Sequence, residues 1–290
     1  MSRFVDYITQ RNPSREREGA VAPDLGPHFH RSLTVAARFV IALVYTTALL
    51  AYVDNGFADD DLSLREQKAF QAAIARVAPS VVRIETVGGR DRVGDLKLED
   101  GATTGLVVGQ EGWIVSSAFH FLRRPDSILV RMPDGTRKPA KLAATDHGRM
   151  IVLLSVEADG PTAVPETVPR GEIRVGQWAI ALGRTFESDR PNVSVGIVSA
   201  VSRIGGRAVQ TDAAASPNNY GGPLVDIRGR VIGVLTPLSP TPGEKVGRVE
   251  WYDSGIGFAV PLEDILKILP RLRQSEDLYA GLLGVGFAGR

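Results

Sequence analysis

Cysteine is absent from the 290 residues. Its absence excludes disulfide cross-links, thiolate nucleophiles and thiolate metal sites together, and leaves the redox compartment to be read from targeting signals. An excess of either charge is lacking too: 34 basic residues stand against 33 acidic ones, a formal net charge of +1. No global field recruits a polyanion, so nucleic acid is not expected as a partner. Histidine is scarce, at four residues, and the His28/His30 pair has no third ligand beside it. No metal site and no cofactor is expected. Long apolar runs are missing, with one exception near the N-terminus.

What is present is 43% apolar residues, 31 glycines and 18 prolines, enough for one sizeable domain or two small ones with appendages. Residues 1–31 are polar and mix Arg3, Arg11, Arg15, Arg17 and Arg31 with Asp6, Glu16, Glu18 and Asp24. They read as a tail with no core of its own. The exceptional apolar run is Leu33 to Val53, broken only by Arg38. At about 1.5 Å per residue such a helix reaches roughly the 30 Å of a hydrocarbon core. Arg31 and Arg38 lie at its start, while Asp54, Asp59, Asp60 and Asp61 follow it. The positive-inside rule then puts residues 1–31 in the cytoplasm, makes residues 32–54 a single-pass signal anchor, and leaves the main domain periplasmic or otherwise extracytoplasmic. Two alternatives stand beside this one. Phe39 to Val53 followed by Gly56-Phe57-Ala58 has the form of a cleaved signal peptide, and a buried core helix is the bland reading of any apolar run.

Residues 55–78 read as a linker and an amphipathic helix, Leu62 to Val77, with Ser63 and Glu66 as its capping box and Pro79 as its stop. Beyond Pro79 the pattern changes to a dozen short strands punctuated by glycine and proline, from Val81–Val87 to Gly257–Val260, with hairpin turns at Pro133-Asp134-Gly135, Gly205-Gly206 and Arg228-Gly229. This spacing predicts an all-β sandwich or two packed barrels. Leu262 to Leu272 alone returns to helical periodicity. One stretch is built to present a side chain: Ala215-Ser216-Pro217-Asn218-Asn219-Tyr220-Gly221-Gly222-Pro223 is a tight turn running into a buried strand, where glycines let backbone amides approach a reacting atom.

Several separated motifs recur in one order: Pro79-Ser80-Val81-Val82, Gly112-Trp113-Ile114-Val115, Val175-Gly176-Gln177-Trp178, Gly196-Ile197-Val198-Ser199, Gln210-Thr211-Asp212-Ala213-Ala214, Gly221-Gly222-Pro223-Leu224-Val225 and Gly255-Ile256-Gly257-Phe258-Ala259-Val260-Pro261. In sequence and spacing they resemble the landmarks of HtrA/Deg-type serine proteases, over about Leu62 to Val285. The resemblance implies a chymotrypsin-like double β-barrel over residues 79–261, with an N-terminal transmembrane helix and short flanking helices. It also implies a possible homo- or hetero-trimer and a role in envelope protein quality control. Residues 262–290 then form a C-terminal helix and the start of a missing or truncated PDZ domain at Tyr279 to Val285.

The same resemblance locates the chemistry. The family's serine corresponds to Tyr220, its histidine to Phe119 and its aspartate to Met150; Asn218 stands for a glycine of the oxyanion hole. A phenol with a pKa of about 10 is a poor nucleophile at neutral pH, Phe119 has no proton acceptor, and Met150 cannot orient a base. Asn218, Asn219, Tyr220 and Gly221 remain as a vestigial hole and cleft. The expectation is a pseudoprotease that binds polypeptides or active relatives. One alternative is an active endopeptidase with a displaced triad, His120 or His147 with Ser216 and Asp146 or Asp212. Another is a structural envelope component. The bland readings are a barrel-edge residue for His120, a loop residue for His147, a turn-capping carboxylate for Asp212 and solvated strand-edge charges for Arg203, Arg207, Arg228 and Arg230. Pro237 to Asp253 reads as a long loop that covers the cleft, holds a partner, or simply packs.

Overall fold

The computed structural model describes residues 61–90, 92–93, 96–97, 101–186, 190–239 and 254–279, together with 40, 43 and 44. The apolar run 33–53 lies outside the described residues except at these last three, which are helical. Among the described residues no helix is long and apolar enough to cross a membrane. The loop 240–253 and the residues from 280 onward, where the PDZ-like strand was expected, also lie outside. The chain divides into units at Met1–Leu62 and Ser63–Arg290, and the second holds both barrels.

Helix α1 covers residues 61–77. Its backbone is already helical at 61 and 62, so Ser63 sits inside the helix and is not the N-cap expected from its spacing to Glu66. Ala73 and Val77 are buried, with Phe70 and Ile74 packed beside them at helical spacing. A 3-10 turn at Ala78–Ser80, with Pro79 in its first positions, ends the helix and leads into the sheet.

The strands are β1 (Val81–Val87), β2 (Arg92–Val93), β3 (Leu96–Lys97), β4 (Gly101–Gly109), β5 (Trp113–Ser117), β6 (Ser127–Arg131), β7 (Arg137–Asp146), β8 (Ile151–Val156), β9 (Trp178–Gly183), β10 (Asn192–Arg203), β11 (Ala208–Thr211), β12 (Pro223–Val225), β13 (Val231–Leu235) and β14 (Gly257–Pro261). They close into two barrels, β1-β4-β5-β8-β7-β6 and β10-β11-β14-β13-β12-β9, with β2 and β3 paired as a small ribbon. All described ladders are antiparallel, as short connections require. Closure pairs the outer strands of each barrel with one another, while the far half of β7, paired among the strands only with β8, keeps one open side. Each barrel is filled by branched aliphatic side chains with no water contact: Ile84, Leu106, Ile114 and Leu153 in the first, Leu224, Ile232 and Leu235 in the second.

The expected hairpin turns are present. Gly135 adopts φ +89° and donates its amide to the Met132 carbonyl at 3.0 Å, with Asp134 Oδ1 accepting from Thr136. Gly229 closes the β12–β13 hairpin onto the Asp226 carbonyl at 2.9 Å. Helix α2 (Leu262–Arg273) follows β14 and buries Leu262, Ile265, Leu269 and Leu272, a single stripe. Beyond it the chain adds to a barrel edge: Leu278 donates to the Thr145 carbonyl at 2.9 Å, and His147 donates to the Leu278 carbonyl at 2.8 Å.

Candidate functional site

Three turns meet where the barrels face each other. The first follows β5. Ser117 Oγ accepts the Phe119 amide at 3.2 Å, and a 3-10 turn over Phe119–Phe121 buries all three of its aromatic side chains. The second is Asp146–Met150, between β7 and β8. Asp146 Oδ1 accepts the amides of Gly148 and Arg149 at 2.9 and 3.0 Å, while its Oδ2 pairs with the Arg149 guanidinium at 2.8 Å. Met150 closes this turn in the left-handed region, at φ +56°, a conformation a bulky residue adopts only where its surroundings impose it. Its carbonyl accepts the Ala118 amide at 2.8 Å, so the first two turns are tied main chain to main chain.

The third turn is Ser216–Gly222, which precedes β12. The Ser216 carbonyl accepts the amides of Asn219 at 3.0 Å and Tyr220 at 3.1 Å, which coils the segment into a helical turn. Asn219 staples it from inside: its Oδ1 accepts the Ser216 amide and its Nδ2 donates to the Ala214 carbonyl. Gly221 donates to Leu235 at 2.8 Å and Gly222 to Asn219 at 3.0 Å. The Tyr220 carbonyl accepts from Thr103 Oγ1 at 3.0 Å and from the Thr104 amide at 3.4 Å, which fastens the turn to β4 of the opposite barrel. Gly221, at φ +82°, makes this approach possible, since a Cβ there would stand 2.1 Å from the Thr104 carbonyl oxygen. Every amide from Asn219 to Gly222 is therefore committed to a carbonyl. An oxyanion needs amides that point outward.

The side chains fill the seam. Phe119 and Tyr220 are 6% and 5% exposed and meet edge to face, with centroids 5.7 Å apart. Although Phe119 comes from the first barrel, it belongs to the apolar cluster of the second. Met150 is buried in the other cluster, with the first-barrel core. The structure thus brings Phe119 and Tyr220 into contact, whereas Met150 packs in the other cluster and is tied to the Phe119 turn through the Ala118 amide.

The displaced-triad residues go elsewhere. His120 is buried in the 3-10 turn that follows β5; its ring lies 5.2 Å from that of Phe119, and Nδ1 has no partner among the described residues. Burial, and then the charge of Arg123, lower its pKa to about 4, so it is neutral at neutral pH. His147 stacks on Tyr279 at 4.5 Å. Asp146 serves its own turn, and Asp212 Oδ1 accepts the amide of Ile197 in strand β10 at 2.6 Å, a bond to the neighbouring strand in place of the turn cap expected of it. Ser216 is buried at the root of its turn.

Two arginines depart from the expectation of solvated edge charges. Arg230 is held by Asp226 and Glu172 at 2.9 Å each. Arg207 is half-buried against the Asp146–Met150 turn, because the β10–β11 hairpin folds back onto the first barrel. Each has one partner close in sequence, Asp226 for Arg230 and the Ile204 carbonyl for Arg207, and one far from it, Glu172 and the Gly148 carbonyl. Spacing gave no signal for the distant partners.

Comparison with known proteins agrees with this architecture. A trypsin-like peptidase domain profile matches residues 103–234, from β4 into β13. A probable periplasmic serine endoprotease DegP-like of Halomonas elongata is 33% identical over 189 residues, 63% of this chain and 37% of that protein. The solved structure of the HtrA-type protease AlgW with tripeptide superposes with a TM-score of 0.57 at 26% identity, covering 71% of this chain and 64% of that one. This chain carries a trypsin-like peptidase domain similar to those of HtrA/Deg-type proteins. Another similar protein is the putative serine protease HhoA of Synechocystis sp., 29% identical over 261 residues, 79% of this chain and 62% of that one. The match to the DegP-like relatives spans little more than a third of their length. The trypsin-like match covers β4 into β13, and so includes all three turns described above.

Proposed function

We propose that this chain is a proteolytically inactive HtrA/Deg-type homologue that acts outside the cytoplasm, binding polypeptides or regulating active relatives in protein quality control. The observation that supports it best is the contact of Phe119 with Tyr220, which fills with two apolar rings the place where a base and a nucleophile would have to face each other. Met150, the counterpart of the orienting acid, lies in the apolar core. In an unrelated serine protease, loss of a single catalytic member lowers turnover by about 10⁶. Here all three are replaced, and the amide of Tyr220 is turned inward onto Ser216.

The compartment follows by analogy with relatives whose names place them in the periplasm. Residues 33–53 would be the membrane contact, with the tail before them cytoplasmic, and assembly would be as a homo- or hetero-trimer. The test is direct. The full chain, incubated with casein and with a fluorophosphonate, is expected to give neither cleavage nor adduct. Casein degradation abolished by Ser216→Ala would overturn the inactive reading in favour of a displaced triad. Fluorescently labelled unfolded casein, or an active HtrA-type relative, is expected to bind saturably; a homo-oligomer that binds neither would favour a purely structural component.

A further inference from the structure

Residues of the turn after β7 (Asp146, Gly148 and Arg149), Arg207, helix α2 and the segment 277–279 line an open pocket of about 290 Å³. It lies apart from the Phe119–Tyr220 seam. Three guanidiniums line it: Arg149, Arg207 and Arg271. Arg149 pairs with Asp146 at 2.8 Å and Arg271 pairs with Glu276. Arg207 differs. Its Nε donates to the Ile204 carbonyl at 3.0 Å and its Nη1 to the Gly148 carbonyl at 2.7 Å, and it forms no ion pair among the described residues.

Two carbonyl dipoles aim this guanidinium without neutralising it. A half-buried cation fixed at a cavity wall without a counter-charge is completed by an anion, and the planar fork suits carboxylate or phosphate oxygens. The two acids of the lining are engaged with the main chain: Asp146 Oδ1 accepts from Gly148 and Arg149, and Asp277 Oδ1 from Thr145. The rest of the wall is apolar or aromatic, formed by Ile268, Leu278 and Tyr279. The Tyr279 ring is held parallel to that of His147, at 14°. The volume falls just below the range of small-molecule sites, roughly 300–1,000 Å³, which limits the ligand to one ring or a short chain.

We propose that this cavity binds a small organic anion, a carboxylate or phosphomonoester whose charged head sits on Arg207 and whose apolar part lies against Leu278 and Tyr279. The site is independent of proteolytic chemistry. One wall is the Asp146–Arg149 part of the turn whose Met150 carbonyl accepts the Ala118 amide.

Phenyl phosphate, benzoate and inorganic phosphate serve as probes, titrated into the full chain while backbone amide resonances of Gly148 and Leu278 are followed. At least one aromatic anion is expected to shift both resonances saturably, and whether phosphate or carboxylate heads are preferred is read from the first two titrations. Inorganic phosphate is expected to bind about tenfold more weakly, lacking the buried ring. Arg207→Gln is expected to weaken aromatic-anion binding by about tenfold or more, with Arg207→Lys between the two. Tyr279→Ala, at an exposed position, gives an independent loss without disturbing the fold. No saturable shift with either aromatic anion, or an affinity unchanged in both Arg207→Lys and Tyr279→Ala, would overturn the proposal.

Discussion

The ring of Phe119, carried by the first barrel, meets that of Tyr220, carried by the second, with planes inclined at 72°. Edge-to-face geometry at this separation is attractive in its own right, beyond the area it buries. The two residues therefore join the barrels rather than merely occupy the seam. Truncating either to Ala is expected to destabilise the domain by about 3–5 kcal/mol, the usual cost of deleting a buried aromatic side chain. A double-mutant cycle followed by urea unfolding should show a coupling of about 0.5–1.5 kcal/mol. Strict additivity of the two losses would show that the rings do not act together.

Restoring side chains alone is not expected to restore chemistry. In the triple substitution Phe119→His, Met150→Asp and Tyr220→Ser, the amide of residue 220 remains bonded to the Ser216 carbonyl, and the turn remains fastened to Thr103. Fluorophosphonate labelling of this variant should stay at background. Rapid acylation would mean that the turn unwinds readily and that side-chain identity was the sole obstacle.

Acid should weaken the domain through His120. Its folded-state pKa of about 4 lies below the ordinary value of 6.5. Between those values the unfolded chain binds a proton that the folded chain refuses, so stability is full above about pH 6.5, falls as the pH drops, and levels off below about 4. The shift corresponds to about 3 kcal/mol. His120→Leu should remove this component: its unfolding free energy, compared with that of the parent across pH 7 to 4, should fall less by about that amount. Parallel pH profiles would contradict the assignment.

Gly221→Ala should be among the most damaging small substitutions in the chain. The added Cβ would stand 2.1 Å from the Thr104 carbonyl oxygen and 2.3 Å from Ser116 Oγ, at a φ of +82°. A loss of at least ~3 kcal/mol is expected, since strain and a main-chain clash add. Gly135→Ala is the control: its φ is +89°, but no atom lies within 4 Å of the added Cβ, so only the conformational cost of about 1 kcal/mol applies. Equal midpoints for the two in thermal unfolding would refute the packing argument.

Much of this architecture is legible in the chain itself. Strand Val81–Val87 coincides with the sequence reading and Gly257–Pro261 runs one residue beyond it, because each is a short run rich in apolar and β-branched residues bounded by turn residues. The start of α1 is not legible, since helical backbone at 61 and 62 runs past the Ser63 signal. The residues at the seam could be singled out by resemblance, but not their contact: Phe119 and Tyr220 are separated by the whole barrel-to-barrel connection. The inward coil of Ser216–Gly222 was equally hidden, because glycines permit both an open and a closed turn and tertiary bonds to Thr103, Thr104 and Leu235 decide between them. The Arg207 cavity draws on four separate segments, and no local pattern announces it.

The bond from the Ala118 amide to the Met150 carbonyl involves no side chain. Substitution at position 119 or 150 leaves its donor and acceptor untouched, so the relative placement of these two turns is inherited independently of what they carry. Such a scaffold is free to exchange reactive groups for apolar ones of suitable volume while its main chain stays in register. Changes of occupation at this seam are thus mutationally cheap, whereas changes to the frame, such as at Gly221, are not.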